Sequence, residues 1–220
     1  MTSGIVIAIL EFTLFFFISS KIRHKLPNLI SINTISYYWL MMTILTFIWE
    51  ISFICNYDNV YKTSTNFLKN KEHVWTNNYS LYYILPNKLA EIYYAEYAAY
   101  ADKEYMTFTN DWSRVIESTH AIFCGLFSLM AILCKIRNVH HNYLISIGIG
   151  MGSQFMNSIL YMANYFIQIK DPNNINYNTP EFPCGPLLLK RPFMWVNLLW
   201  SLMPAYVIYN SLTSVPSLRK

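Results

Sequence analysis

Residues 111–135 read DWSRVIESTHAIFCGLFSLMAILCK, and the interpretation of this stretch decides the fold. It is a long apolar run, close to the roughly 20 residues that a helix needs to cross a bilayer. Within it stand Glu117 and His120. An acid at membrane depth costs roughly 2.5–3.5 kcal/mol on insertion scales, so it normally turns toward a bundle interior and serves a function. Glu117 and His120 are three residues apart and share one helix face. The stretch predicts a membrane-spanning helix with a polar face, and the other apolar runs become the walls around that face.

Composition supports this. Of 220 residues, 54% are hydrophobic and only 13% charged, against roughly 25% charged in a soluble domain. The expected fold is all-α, a polytopic membrane protein with five transmembrane helices around an intramembrane pocket, forming a single domain over 1–220. The net charge of +4 does not point to nucleic acid, because the cations fall in short loops and no nucleic-acid motif accompanies them. Cys55, Cys124, Cys134 and Cys184 show no metal-ligand spacing, so no metal site is expected. Cys124 and Cys134 read as small apolar residues of the third span. Cys55 and Cys184 fall on one side of the membrane, and a disulfide between them stays open because sequence carries no distance.

The spans are expected at about 4–20, 35–55, 113–134, 143–167 and 187–212. The first has no basic segment before it and ends at Lys21, the reverse of a signal peptide, so it reads as an uncleaved span. After it come Lys21, Arg23, His24 and Lys25 without an acid; after the third span come Lys135, Arg137, His140 and His141, again without one. Arg219 and Lys220 close the chain. The positive-inside rule assigns all three groups to the cytosol, which with five spans makes the N-terminus lumenal and the C-terminus cytosolic. Residues 56–111 then form a lumenal loop. It carries an Asn78-Tyr79-Ser80 glycosylation sequon. Residues 88–105, KLAEIYYAEYAAYADKEY, read as an interfacial helix with its tyrosines at headgroup level.

Polar residues inside the spans outline the pocket. Thr46 and Glu50 stand four apart on one face of the second span, with Trp49 and Phe53 beside the acid. Glu50 also reads as an interfacial glutamate, but it and Glu117 lie near the lumenal ends of antiparallel neighbours, at similar depth. In the fourth span Gly148, Gly150 and Gly152 favour close helix contact, and Gln154, Ser158 and Tyr161 share a face. In the fifth, Asn197 and Trp200 share a face, and Pro204 is expected to kink the helix and open space beside the preceding turn. Glu11, in the aromatic first span, has no second polar residue near it in sequence.

Four pieces of the chain, in order, resemble the emopamil-binding protein family, the sterol Δ8–Δ7 isomerases of the EXPERA superfamily. They are IWEISFICNYD at 48–58, EYAAYADKEY at 96–105, IESTHAIFCGLFSL at 116–129 and VNLLWSLMPAYVIYN at 196–210. The resemblance spans roughly 35–212. It implies an endoplasmic reticulum membrane protein, a sterol substrate, cationic amphiphilic amines as inhibitors, and no cofactor; a homodimer is left open. Residue by residue, it implies that Glu50 and Glu117 are the two acidic pocket positions. Asn197 and Trp200 match the family's polar and aromatic positions. His120 takes a place where the isomerase has threonine. Thr46 stands where the family has a histidine that shares in proton donation, and Ser158 replaces a family aspartate.

The implied chemistry moves a ring double bond through a carbocation that no heteroatom holds. A proton donor must stay loaded near neutral pH, as a buried carboxyl can, because desolvation disfavours its charged form. The expected catalytic set is Glu50, Glu117 and His120, with Thr46, Gln154, Tyr161, Asn197 and Trp200 binding substrate. Trp200 would add a cation–π contact of about 1–2 kcal/mol. Two alternatives stand beside this reading: a non-catalytic sterol- or amine-binding member of the same superfamily, favoured by Thr46, and a transporter or channel. Small size, the lack of an internal repeat and the lack of a polar stripe through all five helices weigh against the transporter.

Overall fold

The computed structural model describes residues 1–101, 111–168, 170–171, 173 and 192–214, and within its helices the side chains of 101, 111–115, 117, 118, 165, 168 and 192–194 lie outside the description. Outside it too are residues 102–105 of the expected interfacial helix, most of the 171–186 loop, and the 187–191 start of the last expected span.

Eight α-helices are present among the described residues. The chain begins with a two-residue strand, β1 (Thr2–Ser3), and α1 (Gly4–Lys25) follows directly. A short α2 (Pro27–Ile30) leads into α3 (Thr34–Cys55), whose start is fixed by Asn33: its side chain accepts hydrogen bonds from the Ile35 and Ser36 amides. Arg23 ties this turn together by donating to the Thr34 hydroxyl at 3.0 Å and the Ile32 carbonyl at 2.8 Å. After α3 comes α4 (Tyr57–Asn70), an amphipathic helix that the polar composition of 56–111 conceals. Its buried residues, Val60, Ser64 and Phe67, recur at four and three. Lys71, in the left-handed region at φ 56°, ends it. Strand β2 (Asn78–Tyr79) pairs antiparallel with β1, Ser3 opposite Asn78. The N-terminus therefore lies on the same end of the molecule as the chain that follows α3.

The expected interfacial helix begins at Pro86, where a proline suits the first turn, and changes character midway. It forms α5 (Pro86–Glu96) and then a π-helical turn over Tyr97–Ala101. Its tyrosines do not simply rest at headgroup level; several point down into the bundle, as the site shows below. Three long helices complete the fold: α6 (Asp111–Ile136), α7 (His140–Gln168) and α8 (Pro192–Thr213). Three segments, Gly4–Lys25, Thr34–Cys55 and Thr119–Ile136, are long and apolar enough to cross a membrane.

α6 is central, packing against α3 on one side and α7 on the other, and α8 packs on α7. Two glycines bring these helices together. A Cβ on Gly125 would sit 2.2 Å from the Cβ of Phe47, and one on Gly150 would sit 2.8 Å from that of Phe127. Gly148 and Gly152 face open space, so only Gly150 of the three performs the close packing expected of them. α1 is an outer helix. Only the stripe Gly4, Ile7, Ala8 and Glu11, with Ser19, is buried, while Ile5, Ile9, Leu14 and Phe17 face outward as they would toward lipid.

Two packed cores result. One, at the end bearing α4 and α5, joins Ile7, Phe53, Val60, Phe67, Leu89 and Ile92. The other, at the end bearing the basic turns, joins Leu40, Ile132, Ile147, Met151 and Val207. Asn28 links the two basic turns by donating to the Ile136 carbonyl at 2.9 Å. Cys55 is a free, exposed thiol among the described residues; Cys184, its expected partner, lies outside them.

Candidate functional site

Between these cores lies a cavity of about 320 Å³, near the lower end of the roughly 300–1,000 Å³ usual for small-molecule sites. Thr46, Glu50, His120, Gln154, Tyr161, Asn197 and Trp200, drawn from α3, α6, α7 and α8, all line it. Those are seven of the eight positions that the sequence singles out. The eighth, Glu117, belongs to α6 one turn before His120, and its side chain lies outside the described residues.

Each wall has a local cause. Glu50 falls about one and a half turns before the end of α3, and it is 7% exposed. It accepts a hydrogen bond from the Tyr94 hydroxyl of α5, whose ring stacks on Phe53 at 4.7 Å. The Thr46 hydroxyl turns back to the Thr43 carbonyl at 2.9 Å, a local bond that helical threonines often make. On α6, the His120 Nε2 lies 3.2 Å from the Cys124 thiol, one turn on. Gln154 of α7 accepts from the Trp39 indole at 2.9 Å, and Trp39 in turn sits 4.8 Å from the ring of Trp200. Trp200 is therefore backed by a second indole, itself pinned to a cavity-lining amide.

Pro204 explains the bond that holds the Trp200 backbone. A proline has no N–H, so the carbonyl four residues earlier loses its helical partner. That carbonyl belongs to Trp200, and the Ser158 hydroxyl donates to it at 3.2 Å. Ser158 thus repairs the break at Pro204 from the neighbouring helix and does not line the cavity. A backbone acceptor freed by a proline is commonly satisfied by a serine or threonine of a neighbouring helix.

The sequence missed the roof. Tyr93 and Tyr94 of α5 and Tyr97 of the π-turn also line the cavity, and the Tyr97 and Tyr161 hydroxyls lie 3.3 Å apart. Burial, reinforced by the nearby Glu11 carboxyl, pushes the Tyr93 phenol above its ordinary pKa, so it remains a neutral donor; it donates to the Gly4 carbonyl at 3.1 Å. The roof is held from outside by Glu96, which is 7% exposed. Glu96 accepts from the Val74 amide at 2.9 Å and meets the His73 Nδ1 at 2.7 Å. A tyrosine every three or four residues from 93 to 100 was the available signal, but it equally fits a helix at headgroup level.

Glu11 corrects a second expectation. It is not isolated: the Trp49 indole, another cavity wall, donates to its Oε1 at 3.1 Å. No cluster of metal-ligating side chains occurs among the described residues. The cavity can therefore offer a large apolar ligand several aromatic faces, hydrogen-bonding amides, an imidazole and at least one carboxyl group. Comparison with protein-family models, with curated proteins and with solved structures finds no match for this chain.

Proposed function

We propose that the chain is a five-span endoplasmic reticulum membrane protein that isomerises sterols from Δ8 to Δ7. The observation that carries this reading is the convergence of Glu50, His120, Asn197 and Trp200, from three separate helices, on one cavity. Glu50, Asn197 and Trp200 are residues that the resemblance to the emopamil-binding protein family selects, and His120 stands where that family has threonine. In the reaction a proton is added to C9 of the Δ8 bond, positive charge rests on C8, and a proton leaves C7, so no net proton is consumed. Glu117 is the donor in this scheme. Glu50, which accepts from Tyr94, remains ionised and faces the cation, and His120 carries the departing proton. Trp200 turns an aromatic face to the charge. The same features would hold cationic amphiphilic amines, which imitate the intermediate. In the membrane, the end with α4 and α5 faces the lumen and the basic turns face the cytosol, following their charge.

One observation favours a second reading, a non-catalytic sterol- or amine-binding protein. Thr46 replaces the family's histidine, and its hydroxyl is spent on its own helix. Complementation of cells lacking Δ8–Δ7 isomerase separates the two. The isomerase predicts restored Δ7 sterol by mass spectrometry, lost by a factor of roughly 100 or more in Glu117→Gln or Glu50→Gln, the scale of a general acid–base contribution. Persistent Δ8 sterol with folded protein that still binds an amine establishes the binder.

A further inference from the structure

Glu11 is 2% exposed in the apolar N-terminal part of α1, and only one of its oxygens, Oε1, has a partner. Its Oε2 is buried with no hydrogen-bond partner among the described residues. As a structural element alone this is a poor arrangement. Burying a carboxyl group with a missing partner is costly, and a glutamine would accept from an indole equally well. The arrangement makes sense only if the acid does something for Trp49 that a neutral acceptor in the same place does not.

Trp49 is where it acts. The indole is clamped by α1 from two directions, its N–H on Glu11 and its ring against the edge of Phe12 at 5.7 Å and 83°. Its position in the chain is next to Glu50, and it lines the cavity. Two turns along the same stripe of α1, Gly4 holds the hydroxyl of Tyr93, a second cavity wall. The outer helix therefore fixes two aromatic rings of the site without touching its interior. An indole whose N–H points at an acid has its ring made more electron-rich, since hydrogen-bonded dipoles polarise one another. An electron-rich ring binds a cation better.

We propose that Glu11 is a positioning residue that sets and polarises Trp49 as the aromatic face for a cationic ligand in the cavity. The inference rests on the reading of the cavity as a site for a carbocation or its amine mimics. It goes beyond that reading by bringing in α1, which the resemblance does not cover.

The test compares two probes on the full-length protein in nanodiscs: an azasterol protonated at neutral pH, and the neutral sterol of the same skeleton. Glu11→Gln should weaken azasterol binding by roughly 5- to 10-fold, a part of the roughly 30-fold that one desolvated cation–π contact supplies, and leave the neutral sterol within about 2-fold. In a Trp49→Phe background the Glu11→Gln effect should vanish, because the contact is shared. Equal losses for both probes, no loss for either, or an undiminished effect in the Trp49→Phe background would overturn the proposal. A ligand-free measurement separates this from failure of the functional reading. The indole N–H resonance of Trp49, assigned by its absence in Trp49→Phe, should move upfield in Glu11→Ala. If neither probe binds the unsubstituted protein but that resonance moves, the cation-site reading fails with the proposal while the anchoring stands. If the resonance does not move, Glu11 does not hold Trp49 at all.

Discussion

The same helices, α3, α6, α7 and α8, are packed solid at one end of the bundle and hollow toward the other. At the basic end Leu40, Ile132, Ile147, Met151 and Val207 meet with little or no exposure. Toward the α5 end the corresponding positions are Glu50, His120, Tyr161 and Asn197, and they leave a cavity. The difference is one of side-chain chemistry. Aliphatic chains interdigitate and close a gap, while aromatic and hydrogen-bonding groups held by their own partners cannot collapse into it. Trp39 on Gln154, Trp49 on Glu11 and Tyr94 on Glu50 each fix a wall in place. A pocket in a bundle is thus made by immobilising its walls and by roofing it with an element from outside.

The largest effect that tests this contrast is a truncation at the solid end. Met151→Ala, at a position with no exposure, should cost about 2–5 kcal/mol of stability. Thr46→Ala, at the hollow end, should cost less than about 1 kcal/mol, because Thr46 borders the cavity and gives up only a local bond to its own helix. Thermal unfolding of both variants in the same detergent measures the difference, and equal costs would mean that the cavity is filled.

A smaller effect is expected at the joint between the two ends. Ser158→Ala strands the Trp200 carbonyl and should cost about 0.5–1.5 kcal/mol. In a Pro204→Ala background, where the helical N–H returns, the same substitution should cost almost nothing. Losses that add would show that Ser158 serves some purpose other than repairing the helix.

The smallest effect concerns which end faces which side. Asn78 is exposed on β2, at the end with the roof. With that end lumenal, translation into microsomes should attach a glycan at Asn78, seen as a glycosidase-sensitive gel shift that Asn78→Gln abolishes without changing stability. An unshifted band with the C-terminus accessible only from the lumen would reverse the orientation.

Residues that speak through periodicity along one helix were legible in advance. Thr46 with Glu50, and Asn197 with Trp200, are spaced so that any helix presents them together, and the hydrophobic deficit of charge made the surroundings lipid-like. Helix α4 was hidden because Val60 and Phe67 are diluted by polar neighbours, although their spacing was present. The roof was misread for another reason. Tyr93, Tyr94 and Tyr97 look alike whether a helix lies on a membrane or caps a bundle, because both settings accept rings with one polar end.

What the sequence determined by itself is therefore the helical, membrane-suited character of the chain, the approximate extent of the long helices, and the polar residues that those helices turn to one side. Each follows from the 3.6-residue repeat and from the cost of charge in an apolar medium, which are local properties. Only the tertiary structure decided that Glu11 holds Trp49, that Ser158 answers Pro204, that Gly125 and Gly150 set the helix spacing while Gly148 and Gly152 do not, and that α5 closes the cavity. Those pairs lie 38 to 46 residues apart or depend on which helices become neighbours. No periodicity within one segment encodes a partner in another; the packing of whole helices does.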